Sequence, residues 1–321
     1  MSRLLASILP ARVTTDEGDF FVGAAGNDVL LVNATVIGLA GMAGDDTLTG
    51  GSGDDFLFGD YFSVDLFDAD GDPTTVYDLS VIGDDKIFGG SGSDALIGGP
   101  GNDSLFGGRG NDLYVSIGGG ADLLVEKVDG GIDTIMTSAS TFTLAANFEK
   151  LIFSNIFTEV RKDVQGFGNG ANNVIVGGLR NDTLKGLGGD DTIAGSGGMD
   201  VLTGGTGNDS FAFGIAATEN GVYSTGDKAD TITDFDPAKD QILLYWNSFA
   251  FFDSPRGPME GVIKAAQFAL IGEELTGKEI VLYDQDTGEV MTGNHSIFAR
   301  VAADTILTYH DFELTYGNWA Y

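Results

Sequence analysis

Large apolar residues recur at every ninth position along much of the chain, and glycine and aspartate fill the space between them. The pattern is clearest from Gly89 to Val115, which reads GGSGSDALI, GGPGNDSLF, GGRGNDLYV. Each nine-residue unit has Gly at places one, two and four and Asp at place six: Asp94, Asp103 and Asp112. Place eight is large and apolar: Leu96, Leu105 and Tyr114. Glycine reaches φ values closed to other residues, so the first six residues are expected to turn sharply and expose carbonyls. The last three predict a short strand whose middle side chain points inward, following the period of two.

The phase extends in both directions. Gly50 to Phe58 (GGSGDDFLF) fits fully, and Gly41 to Thr49 (GMAGDDTLT) has Met42 at a glycine place. Val32 to Ala40 keeps the length without an Asp. Gly23 to Leu31 keeps Gly26, Asp28 and Leu30, and Thr14 to Val22 keeps Asp19 and Phe21. The repeat is thus expected to begin near Thr14, its first coils held mainly by apolar stacking. Between Gly59 and Leu79 the phase breaks into an acidic, aromatic-containing segment, expected as a loop from one edge. Its piece Asp68-Ala69-Asp70-Gly71-Asp72 departs from an EF-hand in the place of its glycine and in lacking a Glu at the twelfth place. Ser80 to Phe88 restores the phase with Asp85 and Ile87. Thr134 to Phe157, rich in Thr, Ile, Phe and Leu, predicts longer strands. A second block follows from Gly168: GNGANNVIV, GGLRNDTLK, GLGGDDTIA, GSGGMDVLT, GGTGNDSFA. Asn173 stands there at an Asp place and Arg180 at the fourth-Gly place, which predicts a crowded turn and a weaker first coil. Lys278 to Met291 predicts a hairpin turning at Asp286-Thr287-Gly288.

These units resemble the G-G-x-G-x-D-x-U-x repeat of the RTX, or haemolysin-type calcium-binding, family, a parallel β-helix repeat that binds Ca²⁺. The resemblance covers roughly residues 14–321. It implies an all-β parallel β-roll, or β-solenoid, with a C-terminal β-rich cap. Two units would make one coil, with Ca²⁺ held between the turns of units n and n+2. Carboxylates and carbonyls together make an oxygen-only donor set, which suits that ion. The expected carboxylate pairs are Asp46 with Asp85, Asp55 with Asp94, Asp85 with Asp103, and Asp94 with Asp112. In the second block they are Asp182 with Asp200 and Asp191 with Asp209. Carbonyls at places two and four would come from Gly51, Gly53, Gly90, Gly92, Gly99, Gly101, Gly108, Gly110, Gly205 and Gly207. Asp230 to Leu244 resembles the family's segment after the last repeat, where Asp234, Asp236 and Asp240 are candidates to close the final site. ILTYHDFEL resembles its C-terminal strand, and in that family the uncleaved C-terminus is read by a type I secretion machine.

The expected organisation is an N-terminal cap (1–13), a first block (14–115) with the loop 59–79, a linking β segment (116–167), a second block (168–212) and a C-terminal cap with a secretion signal (213–321). MSRLLASILPARV reads as a cap on the first coil rather than a cleavable leader, because its apolar run is short and broken by Pro10.

Charge sharpens this picture. With 16 Lys and Arg against 48 Asp and Glu, the net charge is −32, which repels nucleic-acid phosphates and anionic membranes. Divalent cations are the natural counter-charge, and without them the repeat region is expected to be largely unfolded. There is no cysteine, so neither disulfides nor thiolate metal sites arise. No apolar run reaches the ~18 residues of a membrane span.

No catalytic constellation emerges from the residues. His295 and His310 are not at metal-ligand spacing, and no H-E-x-x-H occurs. The nearest approach to a nucleophile elbow, Ala194-Gly195-Ser196-Gly197-Gly198, lies inside a repeat. Carboxylates bound to Ca²⁺ cannot shuttle protons. The five aromatics of YWNSFAFF, Tyr245 to Phe252, are either a plug over the solenoid end or a partner surface. The expectation is therefore a non-enzymatic structural or surface protein, secreted or on the surface of a Gram-negative bacterium, that assembles with its own copies as an oligomer, layer, matrix or filament. The alternatives are the calcium module of a secreted enzyme or toxin, and an adhesin for an external ligand.

Overall fold

The computed structural model describes residues 11–15, 18–23, 26–31, 38–60, 64–67, 73–76, 83–116, 120–153, 162–218, 221–224, 229–247, 261–262, 268–270, 281–292 and 297–316. Among the described residues the regular structure is β, apart from a 3-10 helix at Tyr309–Asp311. Among the described residues no helix is long and apolar enough to cross a membrane. Two compact units make up the chain: Met1–Ala139 with Ala146–Glu159, and Ser140–Ala145 with Val160–Tyr321.

In the first unit, successive short strands alternate between two parallel sheets. One contains Gly18–Val22, Gly38–Ala40, Phe56–Phe58, Ala95–Ile97, Leu113–Ser116, Thr134–Thr137 and Lys150–Phe153 in spatial order. The other contains Val29–Leu31, Thr47–Ser52, Lys86–Ser91, Ser104–Arg109 and Leu123–Val125. Two nine-residue units thus complete one coil, and identical places stack: Leu48 on Ile87 on Leu105, and Leu57 on Leu96 on Tyr114. All these place-eight side chains are fully buried, and so is Leu39 of the unit that lacks an Asp. A row of aliphatic side chains inside the roll is the core, and burying each is worth roughly 1.5–3 kcal/mol. Ala11–Thr15 runs antiparallel to Gly18–Val22 and covers the first sheet edge.

The turns between strands depend on glycine at places two and four. Gly90 and Gly92 have φ of 121° and 132°. A Cβ on Gly92 would lie 2.0 Å from the Gly53 carbonyl oxygen of the coil before it. Three non-glycine residues at place two, Met42, Leu187 and Ser196, are held in the same left-handed region at 86°, 80° and 74°. L-residues adopt this region at a cost, so stacking against neighbouring coils must hold them there.

The acidic excursion lies inside a turn, not between two units. Gly59 occupies place one: its N–H donates to the Ile97 carbonyl, as the Gly41 N–H does to that of Phe58. Asp60 follows at place two, and the turn resumes at Gly83 and closes on Asp85. The loop expected over 59–79 therefore leaves after Asp60 and returns by Gly83. Within it, Val64–Phe67 and Pro73–Val76 pair as an antiparallel hairpin. Residues 68–72 lie outside the described residues.

In the second unit, Thr141–Thr143, Gln165–Phe167, Thr183–Gly188, Val201–Thr206 and Asp230–Ile232 form one parallel stack. Val174–Val176, Thr192–Ala194, Ser210–Thr218, Gln241–Asn247 and Phe312–Tyr316 form the other. Ile175, Leu184, Ile193, Leu202 and Phe211 fill the interior. Beyond Thr206 the coils broaden into longer strands, and Val281–Asp284 with Glu289–Thr292 forms the expected hairpin. The aromatic stretch from Tyr245 lies outside the described residues beyond 247, as do residues 1–10 and His295.

Candidate metal centre

In both units, place-six carboxylates accept from the backbone of the stacked turn before them. In the first unit, the Asp46 N–H donates to Asp85 Oδ1 (2.7 Å), that of Asp85 to Asp103 (2.9 Å) and that of Asp103 to Asp122 (3.1 Å). On the other edge the series runs from Asp55 to Asp94 (2.9 Å), to Asp112 (2.8 Å) and to Asp133 (2.8 Å). In the second unit Asp182 donates to Asp200 (2.7 Å) and Asp191 to Asp209 (3.0 Å). All the carboxylate pairs expected from the spacing are brought together in this way.

The second oxygen of each carboxylate is the informative one. Oδ2 of Asp46, Asp55, Asp85, Asp94, Asp103, Asp112, Asp191 and Asp200 is buried and has no hydrogen-bond partner. An unsatisfied buried polar atom costs about 1–3 kcal/mol, and more when charged. Burial, with neighbouring carboxylates adding to it, pushes Asp85 up to about 8 and Asp103 to about 7. Burial likewise pushes Asp46, Asp55, Asp94 and Asp112 up to about 6. Asp191 is raised to about 7 and Asp200 to about 8 for the same reason. A row of such groups is stable in ionised form only beside positive charge.

The oxygens converge on a defined place. A Cβ on Gly50 would lie 2.5 Å from Asp55 Oδ2 and 2.7 Å from the Gly89 carbonyl oxygen. A Cβ on Gly89 would lie 2.4 Å from Asp94 Oδ2 and 2.7 Å from the Gly107 carbonyl oxygen. Glycine at place one thus leaves room where carboxylate and carbonyl oxygens gather. The place-two and place-four glycines Gly51, Gly53, Gly90, Gly92, Gly108, Gly110, Gly205 and Gly207 all have φ between 112° and 145°, and Gly99 has 105°. Their stack brings backbone oxygens close: Gly108 approaches the Gly90 oxygen, Gly110 that of Gly92, Gly101 that of Gly83, and Gly207 that of Gly189. Hard, oxygen-only, partly anionic donors fit Ca²⁺, which takes six to eight oxygens. The aspartates would hold the ion with these carbonyls. The ion would supply no reactive chemistry, only charge cancellation and a bond between coils.

Several contributors were not legible from the nine-residue phase. Asp60 sends Oδ2 to the Gly83 N–H and leaves Oδ1 buried and unpartnered, beside Asp85. Asp230 accepts from the Asp200 N–H (2.9 Å) and Asp240 from that of Asp209 (3.0 Å), extending both ladders of the second unit. Asp234 instead accepts from the Gly204 and Gly205 N–H groups, both at 2.9 Å, and Asp236 pairs with the exposed Lys239 (2.9 Å). Place five carries a parallel ladder on the rim. Asp45, Asp84 and Asn102 each donate N–H to the side chain one coil earlier, and the recurrence of Asn and Asp at that place was its signal.

The stacked turns, the inward apolar row and the oxygen-lined glycine cradles define a parallel β-roll of calcium-binding repeats. A family model described as the RTX calcium-binding nonapeptide repeat (4 copies) matches residues 13–34, 39–60, 81–114, 167–198 and 194–212. The chain carries the repeats of the RTX calcium-binding family. No curated protein matches it.

Proposed function

We propose that this is a secreted, non-catalytic structural or surface protein whose fold is switched on by extracellular Ca²⁺. The observation that carries the reading is the row of buried carboxylate oxygens without partners, repeated coil after coil. In the cytosol free Ca²⁺ is too scarce to fill sites with the affinity of extracellular modules, ~10⁻⁴–10⁻³ M. The metal-free chain then bears its full charge of −32 and stays threadable through a type I secretion machine. Outside a Gram-negative cell each ion joins two turns and cancels charge, so binding free energy becomes folding free energy. Coupled coils make the transition steep. Carboxylates committed to a cation have no proton to shuttle, which favours a structural role over catalysis.

Self-assembly is the second part of this reading. One sheet of the first unit presents Val29, Leu31 and Leu123 to solvent, with Phe88 and Phe106 stacked at 4.8 Å between them. A calcium-ordered apolar face of this kind suits a contact between copies. Circular dichroism during a calcium titration should show coil converting to β over a narrow range, reversed by chelator and not reproduced by equal Mg²⁺. Electron microscopy with and without Ca²⁺ tests assembly. A full β spectrum in excess chelator would end the switch, and monodisperse monomers at saturating Ca²⁺ would end the assembly.

A further inference from the structure

The first block ends in a turn that breaks the repeat chemistry. From Asp94 to Asp112 the ladder step is 18 residues, but from Asp112 to Asp133 it is 21. In the longer coil the oxygens nearest the place-one glycine differ from those at Gly89. At Gly89 the converging atoms are Asp94 Oδ2 and the Gly107 carbonyl oxygen. At Gly107 they are Asp112 Oδ2, the Tyr114 hydroxyl and Glu126 Oε2, at 2.2, 2.5 and 2.7 Å from the Cβ position. Glu126 thus presents a carboxylate oxygen near Gly107, where the cradle at Gly89 presents a backbone carbonyl.

Ligand-type oxygens of Asp112, Glu126 and Asp133 lie within 4.8 Å of one another, and all three residues are buried. Hydrogen bonds position Glu126 from both sides. Tyr114 donates to Oε2 at 2.7 Å and the Lys127 N–H to Oε1 at 2.6 Å. Tyr114 stands at place eight, where most coils carry an aliphatic residue and none of the other clear repeats carries a hydroxyl, and Phe148 packs edge-on against its ring at 5.0 Å. Independently of the cluster itself, Oδ2 of Asp112 and Oδ2 of Asp133 are both buried without any partner, on residues 2% and 0% exposed.

We infer that Asp112, Glu126 and Asp133 form a three-carboxylate site for a hard divalent cation of the Ca²⁺ class, distinct from the repeat sites. Glu126 is a direct ligand in place of a glycine carbonyl, and Tyr114 is the residue that positions it. The inference rests on the calcium reading of the repeats but assigns a ligand that lies outside their pattern.

The test uses the full chain. Bound Ca²⁺ is counted by equilibrium dialysis at a concentration that saturates the wild type. Glu126→Ala is expected to bind one ion fewer while keeping its calcium-dependent β signal. Tyr114→Phe keeps the ligand but loses its support, and should weaken one ion by roughly 10–100-fold, as loss of a ligand's outer partner does. With Tb³⁺ as probe, wild-type emission sensitised by tyrosine should drop in Glu126→Ala but not in Ile306→Ser, at an exposed position outside the repeats. If Glu126→Ala fails to fold, Glu126→Gln keeps the volume and should weaken the same single ion by at least ~10-fold. Equal ion counts and affinities in wild type and the Glu126 variants would overturn the site. No bound Ca²⁺ in the wild type would instead overturn the repeat reading, so the two failures are distinct.

Discussion

The turns of the first unit and the opening turn of the second carry the same aspartate but satisfy it differently. In the turns closing on Asp94, Asp103 and Asp112, Oδ1 accepts from the neighbouring coil and Oδ2 has no partner. In the turn closing on Asp182, Oδ2 accepts from the N–H of Gly178 in its own turn, at 2.6 Å. Asn173 does the same with Asn169 (2.7 Å), and Asp240 with Asp236 (2.8 Å). The difference follows the glycine pattern. Gly90, Gly99 and Gly108, at place two of their turns, have φ of 121°, 105° and 114°, whereas Gly178, at that place before Asp182, has no positive φ. Where place two of an uninterrupted turn is left-handed, its N–H does not reach the carboxylate, and Oδ2 is left to face the cradle. Where it is not, as at Gly178 and Asn169, that N–H donates to the side chain closing the turn, as the ion would elsewhere. The turn expected to be crowded at Arg180 is one of the closed turns.

The largest effect that sharpens this comparison is at the centre of an open ladder. Asp103→Ala strips the Asp85 N–H of its acceptor, a cost of about 1–3 kcal/mol, and removes a ligand shared by adjacent turns. Asp28 lies at the start of the same ladder, half-buried, so Asp28→Ala should lower the calcium-saturated melting temperature much less. Equal losses in the two variants would mean the ladder is not the supporting element.

Next comes the backbone itself. Gly92→Ala puts a Cβ 2.0 Å from the Gly53 oxygen at a φ of 132°, and should cost about 1–3 kcal/mol or more in denaturant unfolding. Gly170 in the opening coil of the second unit has nothing within 4 Å of its Cβ position, so Gly170→Ala should stay within about 0.5 kcal/mol. A neutral Gly92→Ala would break the link between left-handed glycine and the open turn.

Proton binding gives a third handle. The folded, metal-free carboxylates are raised by burial to about 6 at Asp94, about 7 at Asp103 and about 8 at Asp85. Unfolded aspartate titrates near 3.9. Between these values the folded state holds more protons than the unfolded one. Metal-free stability is therefore greatest at acid pH and is lost as pH rises through about 4 to about 8. Melts in chelator should show more β structure near pH ~5 than near pH ~8. Because protons and Ca²⁺ compete for the same oxygens, the calcium midpoint should move the opposite way, to higher concentration in acid. Metal-free stability that rises with pH would show that these carboxylates are already paired with positive charge.

The smallest effect is conversion of the closed turn. Arg180→Gly restores the repeat residue at place four and should lower the calcium midpoint by the equivalent of about 1 kcal/mol or less, because Gly178 still donates to Asp182 Oδ2. A higher midpoint in Arg180→Gly would show that the closed turn is set by its neighbours rather than by residue 180.

Much of this molecule is determined by local sequence. A nine-residue recurrence of Leu, Ile or Phe at place eight dictates an inward strand position, and Leu48, Leu96 and Ile193 are fully buried accordingly. The step of 18 residues between stacked aspartates follows from two units per coil, so Asp94 with Asp112 and Asp191 with Asp209 could be paired in advance. Glycine at places two and four forecasts the left-handed turns. Phase, however, speaks only for residues that keep it. That Gly59 and Asp60 belong to the turn closed by Asp85 depends on the register of Gly59 against Ile97, which the insertion conceals. That Glu126 approaches Asp112 and Asp133 depends on the width of a coil of non-standard length. That Gly178 donates back to Asp182 depends on the backbone path of its own turn, where glycine at place two is not left-handed. Local chemistry decides which residues can turn, extend or ligate; only the stacking of coils decides which oxygen is left without a partner.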